Sequence, residues 1–201
     1  VLPSLAEIAS GKVALAALRP LEVEDLLGRD SVPPNMELLS RDTKDKSVLV
    51  TGAGGSVGSE LVRQVLRQGP RRLVLFDVSE PALYEIEMEV RGIVNAIPSS
   101  ARKPEIAVIL GSVLDPALVT EVLRTCAVDT IYHAAAYKHV PIVEHNAAVG
   151  LTNNVRGTEI VADAAMACGV DRMVLISTDK AVRPTNVMGA SKRLAELVLQ
   201  A

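Results

Sequence analysis

Aromatic side chains are scarce: three Tyr, one Phe and no Trp in 201 residues. That leaves too little stacking surface for a single-stranded nucleic-acid platform. A formal net charge of −3 and the lack of a Lys/Arg cluster remove the electrostatic case for a nucleic-acid partner as well. Only two cysteines occur, Cys126 and Cys168, with no CxxC or His spacing, so they read as small buried hydrophobes in a reducing compartment. The three His residues lack metal-site partners, and no metal is expected. No apolar run reaches the roughly 18 residues of a membrane helix, and no signal peptide is visible. Beginning at Val1 rather than Met, the chain reads as a fragment or a processed product.

What is present is an ordinary globular balance, 49% hydrophobic and 22% charged residues, enough for one well-buried domain with an appendage. From Ser47 onward strands and helices alternate. Short apolar, β-branched runs predict strands at 47–52, 72–77, 105–110, 130–136 and 172–177. Helical spacing predicts helices at 56–68, 80–94 (with Pro81 in its first turn) and 115–125, the last with Asp115 as N-cap and Pro116 at N1. A long helix from Ile142 or Asn146 to Cys168, ended by Gly169, and one from Met188 to the end of the chain complete the series. Such alternation gives an α/β, Rossmann-type, doubly wound parallel sheet ordered 3-2-1-4-5. Residues 1–46 differ: one or two short helices ("LPSLAEIASG", "EVEDLLG") and a polar linker with Pro33 and Pro34. The expected division is a helical linker segment, 1–46, and a nucleotide-binding domain, 47–201, whose last helix is cut by the end of the chain.

"VTGAGGSVGSE" places Gly52, Gly55 and Gly58 between the first strand and the first sheet helix. In that context the glycines predict a dinucleotide cradle: Gly52 for the tight turn, Gly55 for backbone approach to a pyrophosphate, Gly58 for close helix packing. The helix N-terminus, with Ser56 and Val57, adds free N–H groups and partial positive charge. Asp77 ends the second strand, nineteen residues after Gly58. A carboxylate there accepts from a ribose diol and repels a 2′-phosphate, which favours NAD over NADP; an ordinary helix N-cap is its other reading. Ser112 and Val113 follow the third strand where an adenine would lie, with a hydroxyl where Asp is common.

The fourth strand leads into "HAAAYKHVP". Ala134, Ala135 and Ala136 are small enough for a cofactor to lie along the strand end, and Lys138 and His139 follow for anionic or hydroxyl-rich ligand groups. His133 reads as a structural strand residue and His145 as a helix-surface residue. After the fifth strand, Thr178, Asp179 and Lys180 cluster at the carboxyl edge, where open α/β sheets bind ligands. Asp179 and Lys180 form a matched acid–base pair whose pKa values burial and neighbours must shift. Lys192, one turn past Met188, is suited to a nicotinamide ribose. Many short-chain dehydrogenases carry a catalytic Tyr four residues before this Lys; here Met188 stands there and cannot move a proton.

"VTGAGGSVGSEL", "LFDVSE", "HAAAYKHVP", "EHN", "NNVRGT" and "STDKAVRPTNVMGASKRLAE" together resemble the extended short-chain dehydrogenase/reductases. More narrowly, they resemble the polysaccharide-biosynthesis CapD/WbpM-type UDP-N-acetylglucosamine 4,6-dehydratases. The resemblance covers about residues 47–201, implies a truncated Rossmann domain whose carboxyl-terminal sugar-binding part is missing, and makes Met in place of Tyr a mark of that branch. It implies oxidation of the sugar at C4 by NAD, loss of the C5 proton and the C6 hydroxyl, and return of hydride to C6. Carried onto this chain, Thr178 polarises the C4 hydroxyl, Asp179 is the candidate acid and Lys180 the candidate base, with exchange of those two open. Residues 2–30 resemble the segment that joins transmembrane helices to the catalytic domain in long members. The resemblance thus implies a UDP-sugar substrate and a place at the cytoplasmic face of a bacterial inner membrane, with this piece soluble. It also allows a homo-oligomer. A 4-epimerase, or a non-catalytic NAD-binding module, is the alternative.

Overall fold

The computed structural model describes residues 35–201; the helices expected at 2–11 and 22–28 lie outside them. Its elements in chain order begin with α1 (Met36–Thr43), β1 (Ser47–Thr51), α2 (Ser56–Arg67), β2 (Arg72–Asp77) and α3 (Glu80–Ala96). They continue with β3 (Glu105–Leu110), α4 (Pro116–Thr125), β4 (Thr130–His133), α5 (Val140–His145) and α6 (Ala147–Leu151). A π-helical turn (Thr152–Arg156), α7 (Gly157–Cys168), β5 (Arg172–Leu175), a 3-10 turn (Asp179–Ala181) and α8 (Val187–Val198) complete the chain. The strands form one parallel sheet in the expected order β3-β2-β1-β4-β5. Val50 of the central strand faces Leu75 on one side and Tyr132 on the other.

Every residue of β1 is buried, as a central parallel strand covered on both faces requires. Val48 and Val50 turn to one face, where Val62, Val65, Leu83, Ile86 and Val90 of α2 and α3 cover them. Leu49 turns to the other, beneath Val119, Val122, Leu123, Ile160 and Val161 of α4 and α7. Asp115 caps α4 as its sequence position predicts, accepting from the N–H groups of Ala117 and Leu118 at 3.0 Å each.

Five expectations are corrected. Residues 36–43, counted with the polar linker, form helix α1, which inserts Thr43 into the interior and pairs Asp42 with Arg172 at 3.0 Å. Strand β4 stops at His133 rather than Ala136: Ala135 N–H turns to the Thr51 hydroxyl and Tyr137 N–H to the Asn154 side chain. Strand β5 likewise ends at Leu175. The long helix before Gly169 is broken at Asn146 (φ −132°, ψ 47°) and loosened into the π-helical turn, which sets Asn154 inward; π insertions are frequent at functional sites. Gly169 does end it, in the left-handed conformation (φ 69°). Helix α8 ends at Val198, before the chain does.

His133 is the structural residue the sequence suggests. It is 1% exposed, with Nδ1 2.6 Å from the Thr51 hydroxyl and Nε2 3.2 Å from that of Thr158. Burial, reinforced by the charge of Lys192, lowers its pKa from 6.5 to about 3. The unfolded chain therefore takes up this proton below pH 6.5 while the folded chain refuses it, so the stabilisation is complete above pH 6.5 and falls as pH drops toward 3. Between pH 7 and pH 5 the wild-type chain is expected to lose about 2 kcal/mol more unfolding free energy than His133→Gln. Urea titrations at both pH values measure it; equal losses in the two proteins would contradict the neutral buried imidazole.

Candidate active site

The groove runs across the carboxyl edge of the sheet, where the connections of β1 and β4 leave in opposite directions. Open α/β sheets bind ligands in such a crevice. Two cavities of about 280 and 340 Å³ share Gly52, Gly55, Ala134, Ala136 and Tyr137, so they are halves of one trough.

The turn after β1 is built from backbone that tolerates no side chains. Gly52 has φ +67°, and a Cβ on it would meet the Ala134–Ala135 peptide at 2.8 Å. A Cβ on Gly58 would collide with the Gly52 carbonyl, so Gly58 lets α2 back onto the turn itself. Gly55 has only the Gly52 carbonyl near, at 3.3 Å, and lines both halves of the trough. It is the position whose missing side chain leaves room for a ligand. Gly54, absent from the expected set, is as constrained: its Cβ would meet Ala82 at 2.6 Å. The "GAGG" string contained that signal.

Asp77 is not a helix cap. Its Oδ2 accepts from Gly54 N–H at 2.8 Å and its Oδ1 from Ser79 N–H at 2.9 Å. The carboxylate therefore stitches the glycine turn to the end of β2, and each oxygen keeps lone-pair capacity toward the trough. Ser112, Val113, Ala135 and Asn153 line the same half; the Ser112 hydroxyl accepts from Leu114 N–H at 3.2 Å and retains its own proton to donate. Arg71 and Arg72 lie at the opposite end of the sheet, paired with Asp129 and Glu105.

The other half is lined by Ser56, Val57, Gly58, Lys138, Thr178, Lys180, Met188 and Lys192. Lys138 donates to the Ser56 hydroxyl at 2.5 Å, which puts its charge at the N-terminus of α2. His139, expected beside it on the ligand, lines a neighbouring cavity of about 530 Å³ with Ile142, Val143 and Val149. The Thr178 hydroxyl donates to Asp179 Oδ1 at 2.9 Å, and Lys180 Nζ approaches the same oxygen at 3.4 Å. Asp179 is exposed, and its hydrogen bond from Thr178, then Lys180, holds its carboxyl below the ordinary range. The burial expected for this pair is thus not found in the chain alone.

Lys192 is 6% exposed, yet among the described residues no hydrogen bond or ion pair engages its ammonium. Burial lowers its pKa, opposed by the charge of Glu196. Among the described residues no buried side-chain nitrogen lacks a partner, so the stem of Lys192 is buried while its ammonium opens onto the trough, where a ligand would meet it. Met188, 3% exposed, supplies the apolar wall beside it. The sequence reasoning missed Asn154. It is 1% exposed; its amide accepts from Tyr137 N–H and donates to Tyr137 C=O and to Ser191 Oγ. It ties the loop after β4 to α8, and its signal was a polar doublet inside an apolar helix. Gly189 was missed too: its absent Cβ admits the Lys180 carbonyl.

These features fit a dinucleotide: a glycine turn that a Cβ would fill, a carboxylate at one end and an unpaired ammonium at the other. Among the described residues no group of three or more His, Cys, Asp or Glu could hold a metal ion, and no helix is long and apolar enough to cross a membrane.

Residues 48–201 match the family model described as polysaccharide biosynthesis protein. The capsular polysaccharide biosynthesis protein CapD of Staphylococcus aureus is 41% identical over 199 residues, 99% of this chain and 32% of its own length. The UDP-N-acetylglucosamine 4,6-dehydratase (inverting) of Campylobacter jejuni is 32% identical over 148 residues, 73% of this chain and 40% of its own. An uncharacterized membrane protein of Methanocaldococcus jannaschii is 39% identical over 158 residues, 79% of this chain and 44% of its own. UDP-glucose 4-epimerases also match, that of Rickettsia rickettsii at 31% over 152 residues, 76% of this chain and 42% of its own. The dTDP-glucose 4,6-dehydratase DesIV of Streptomyces venezuelae, solved with NAD bound, superposes with a TM-score of 0.63 at 27% identity over 76% of this chain and 50% of that one. The chain spans about a third of the length of the first curated relatives it matches.

Gly58→Ala is expected to cost about 1–3 kcal/mol, because the helix must move off the turn. Gly55→Ala, whose Cβ meets only one atom at 3.3 Å, is expected to leave the unfolding midpoint nearly unchanged. Denaturant titration of both variants tests this; a reversed order would show that the turn is not locked at Gly58.

Proposed function

This chain belongs to the polysaccharide biosynthesis protein family, within the extended short-chain dehydrogenase/reductases, and we propose that its protein is an NAD-dependent nucleotide-sugar 4,6-dehydratase acting on UDP-N-acetylglucosamine. The observation that carries the reading is the reacting-end cavity, where Thr178, Lys180, apolar Met188 and the unpaired Lys192 share one wall of the glycine trough.

Asp77 binds the adenosine ribose with the lone pairs left by Gly54 and Ser79, and its charge disfavours a 2′-phosphate. The free N–H groups at the start of α2, with Lys138 at Ser56, take the diphosphate. Ser112 and Val113 border the base, and Ala134, Ala135 and Ala136 leave the strand edge low enough for the cofactor to lie on it. NAD, when bound, supplies a reversible two-electron oxidation at the sugar. Lys192 donates to the nicotinamide ribose and stabilises negative charge developing beside it. Thr178 turns its hydroxyl to the C4 oxygen.

Asp179 and Lys180 divide the elimination. The C4 hydroxyl proton passes through the Thr178 hydroxyl to the Asp179 carboxylate; Asp179 gives it to the departing C6 hydroxyl, which leaves as water, and Lys180 takes the C5 proton as the free amine. Exposed, and held low by Thr178 and Lys180, the Asp179 carboxyl is ionised at neutral pH; it becomes an acid when a bound sugar desolvates it. The substrate itself therefore completes this acid. Met188 removes the proton donor that simple epimerisation commonly uses and keeps that wall dry. The matches to UDP-glucose 4-epimerases support a second reading, in which oxidation and return occur at C4 alone. The membrane-protein relative supports membrane attachment of the intact protein.

Incubated with UDP-N-acetylglucosamine, full-length protein is expected to form a 4-keto-6-deoxy product, detected by mass loss of water. Asp179→Asn or Lys180→Ala is expected to lower the rate about 10²–10⁴-fold. A UDP-N-acetylgalactosamine product would establish the epimerase, and wild-type dehydration in either variant would remove the assigned roles.

A further inference from the structure

Glu196 has no part in the chemistry above, yet it touches both elements that carry it. Its Oε1 accepts from the Ser177 hydroxyl at 2.5 Å. Ser177 lines the reacting-end cavity and immediately precedes Thr178. Its Oε2 accepts from Arg193 at 2.7 Å. Glu196 also follows Lys192 by four residues on α8, the spacing at which helical side chains share a face.

Of the other carboxylates on elements packed against α8, Glu144 of α5 accepts from Val187 N–H at the start of the helix, and Glu159 of α7 is paired with Arg156. Beneath Lys192, His133 is buried and neutral. From the turn, Lys180 lines the same cavity, whereas Asp179 is exposed and outside that lining. From the loop after β4 come Tyr137 and Lys138, the latter engaged with Ser56. On its own helix, Arg193 is drawn to Glu196. Glu196 is the carboxylate whose field opposes the desolvation of Lys192.

We propose that Glu196 is a positioning residue of the reacting end: through Ser177 it fixes the loop and 3-10 turn after β5 that carry Thr178 and Lys180, and from one turn along the same face of α8 its negative charge supports the ammonium of Lys192. The two effects are separable. Glu196→Gln keeps an acceptor for Ser177 and removes the charge, Ser177→Ala removes the tie and keeps the charge, and Glu196→Ala removes both. This role rests on the cofactor reading given above. It does not depend on which sugar reaction follows.

The test is NAD+ affinity of the full-length protein by calorimetry between pH 7 and pH 10, with thermal midpoints as a check on folding. Wild-type affinity is expected to fall at alkaline pH as Lys192 loses its proton, and Lys192→Met is expected to be weak and flat. In Glu196→Gln the fall is expected to begin about half a pH unit or more lower, since a nearby negative charge no longer favours the ammonium. Ser177→Ala is expected to keep the wild-type profile while turnover on the sugar drops at unchanged KM. A Glu196→Gln profile superimposed on wild type would overturn the proposal, as would variants that differ only in thermal midpoint. Absence of a 4-keto product from wild-type protein would sink the dehydratase reading while leaving the affinity profiles to decide on Glu196.

Discussion

The site depends on one steric constraint, the contact of the turn after β1 with the start of α2 and the end of β4. A side chain on Gly52 would meet the Ala134–Ala135 peptide, and one on Gly58 the Gly52 carbonyl. Because both approaches are backbone to backbone, no rotamer change relieves them. The start of α2 is thereby fixed close to the carboxyl ends of β1 and β4. Its first N–H groups then face the trough rather than bulk water. Asp77 reinforces the same turn from β2 by accepting from Gly54. A carboxylate that a sequence motif assigns to ligand recognition is thus also a structural staple, and its orientation is set before any ligand arrives.

Electrostatics at the far end follow a complementary rule. His133 is buried neutral between two threonine hydroxyls, and Lys192 has a buried stem whose ammonium opens onto the trough without a hydrogen-bond partner among the described residues. Two cations in that space would repel each other across low-dielectric protein, and the imidazole is the one that gives way. The positive charge is therefore concentrated on one ammonium beside an apolar Met188 wall. Such an arrangement is unfavourable for stability on its own and favourable for recognising an electron-rich ligand group. Three of the tethers around it come from residues outside the reacting set. Asn154 clamps both backbone groups of Tyr137 and reaches Ser191 of α8. The Glu144 carboxylate accepts from Val187 N–H at the start of that helix, and Asn186 caps it through Gly189 N–H.

Features governed by local chemistry were legible in the sequence. Parallel strands with buried faces on both sides show as short β-branched runs, so strand order and three of five strand positions followed directly. The Asp115 cap and the Gly169 stop did as well, because each is decided within a few residues. What escaped was decided by distant partners. The loop that follows β4 is held by Asn154, seventeen residues beyond Tyr137, and the π-helical loosening of the long helix is where the same side chain turns inward. Residues 36–43 look polar in isolation and become a helix through a buried Thr43 and the Asp42–Arg172 pair. In the candidate site, the glycines, Asp77 and Lys192 carry a chemical signature in the sequence, and all line the trough. Gly189 carries none, since its reason is the Lys180 carbonyl across a turn.

The exposed Asp179 bears on how proton chemistry can persist without a tyrosine at position 188. A phenol there would sit on a buried helix face beside Lys192 and be tuned by the protein alone. Asp179 instead projects from a short 3-10 turn, ionised and solvated, next to a hydroxyl and an ammonium that both favour its charge. The hydrogen bonds from Thr178 and Lys180 outweigh the slight desolvation of Asp179 and hold its carboxyl low, so a ligand covering the turn is needed to make it a proton donor. Acid strength would then be conditional on occupancy: water could not be expelled from an empty site, and a sugar bound too shallowly would leave the carboxylate ionised. Met188 serves that logic, because an apolar wall contributes to drying the turn as the ligand settles. In the proposed dehydratase, moving the proton chemistry from a buried helix to an exposed turn would exchange permanent tuning for tuning by the substrate.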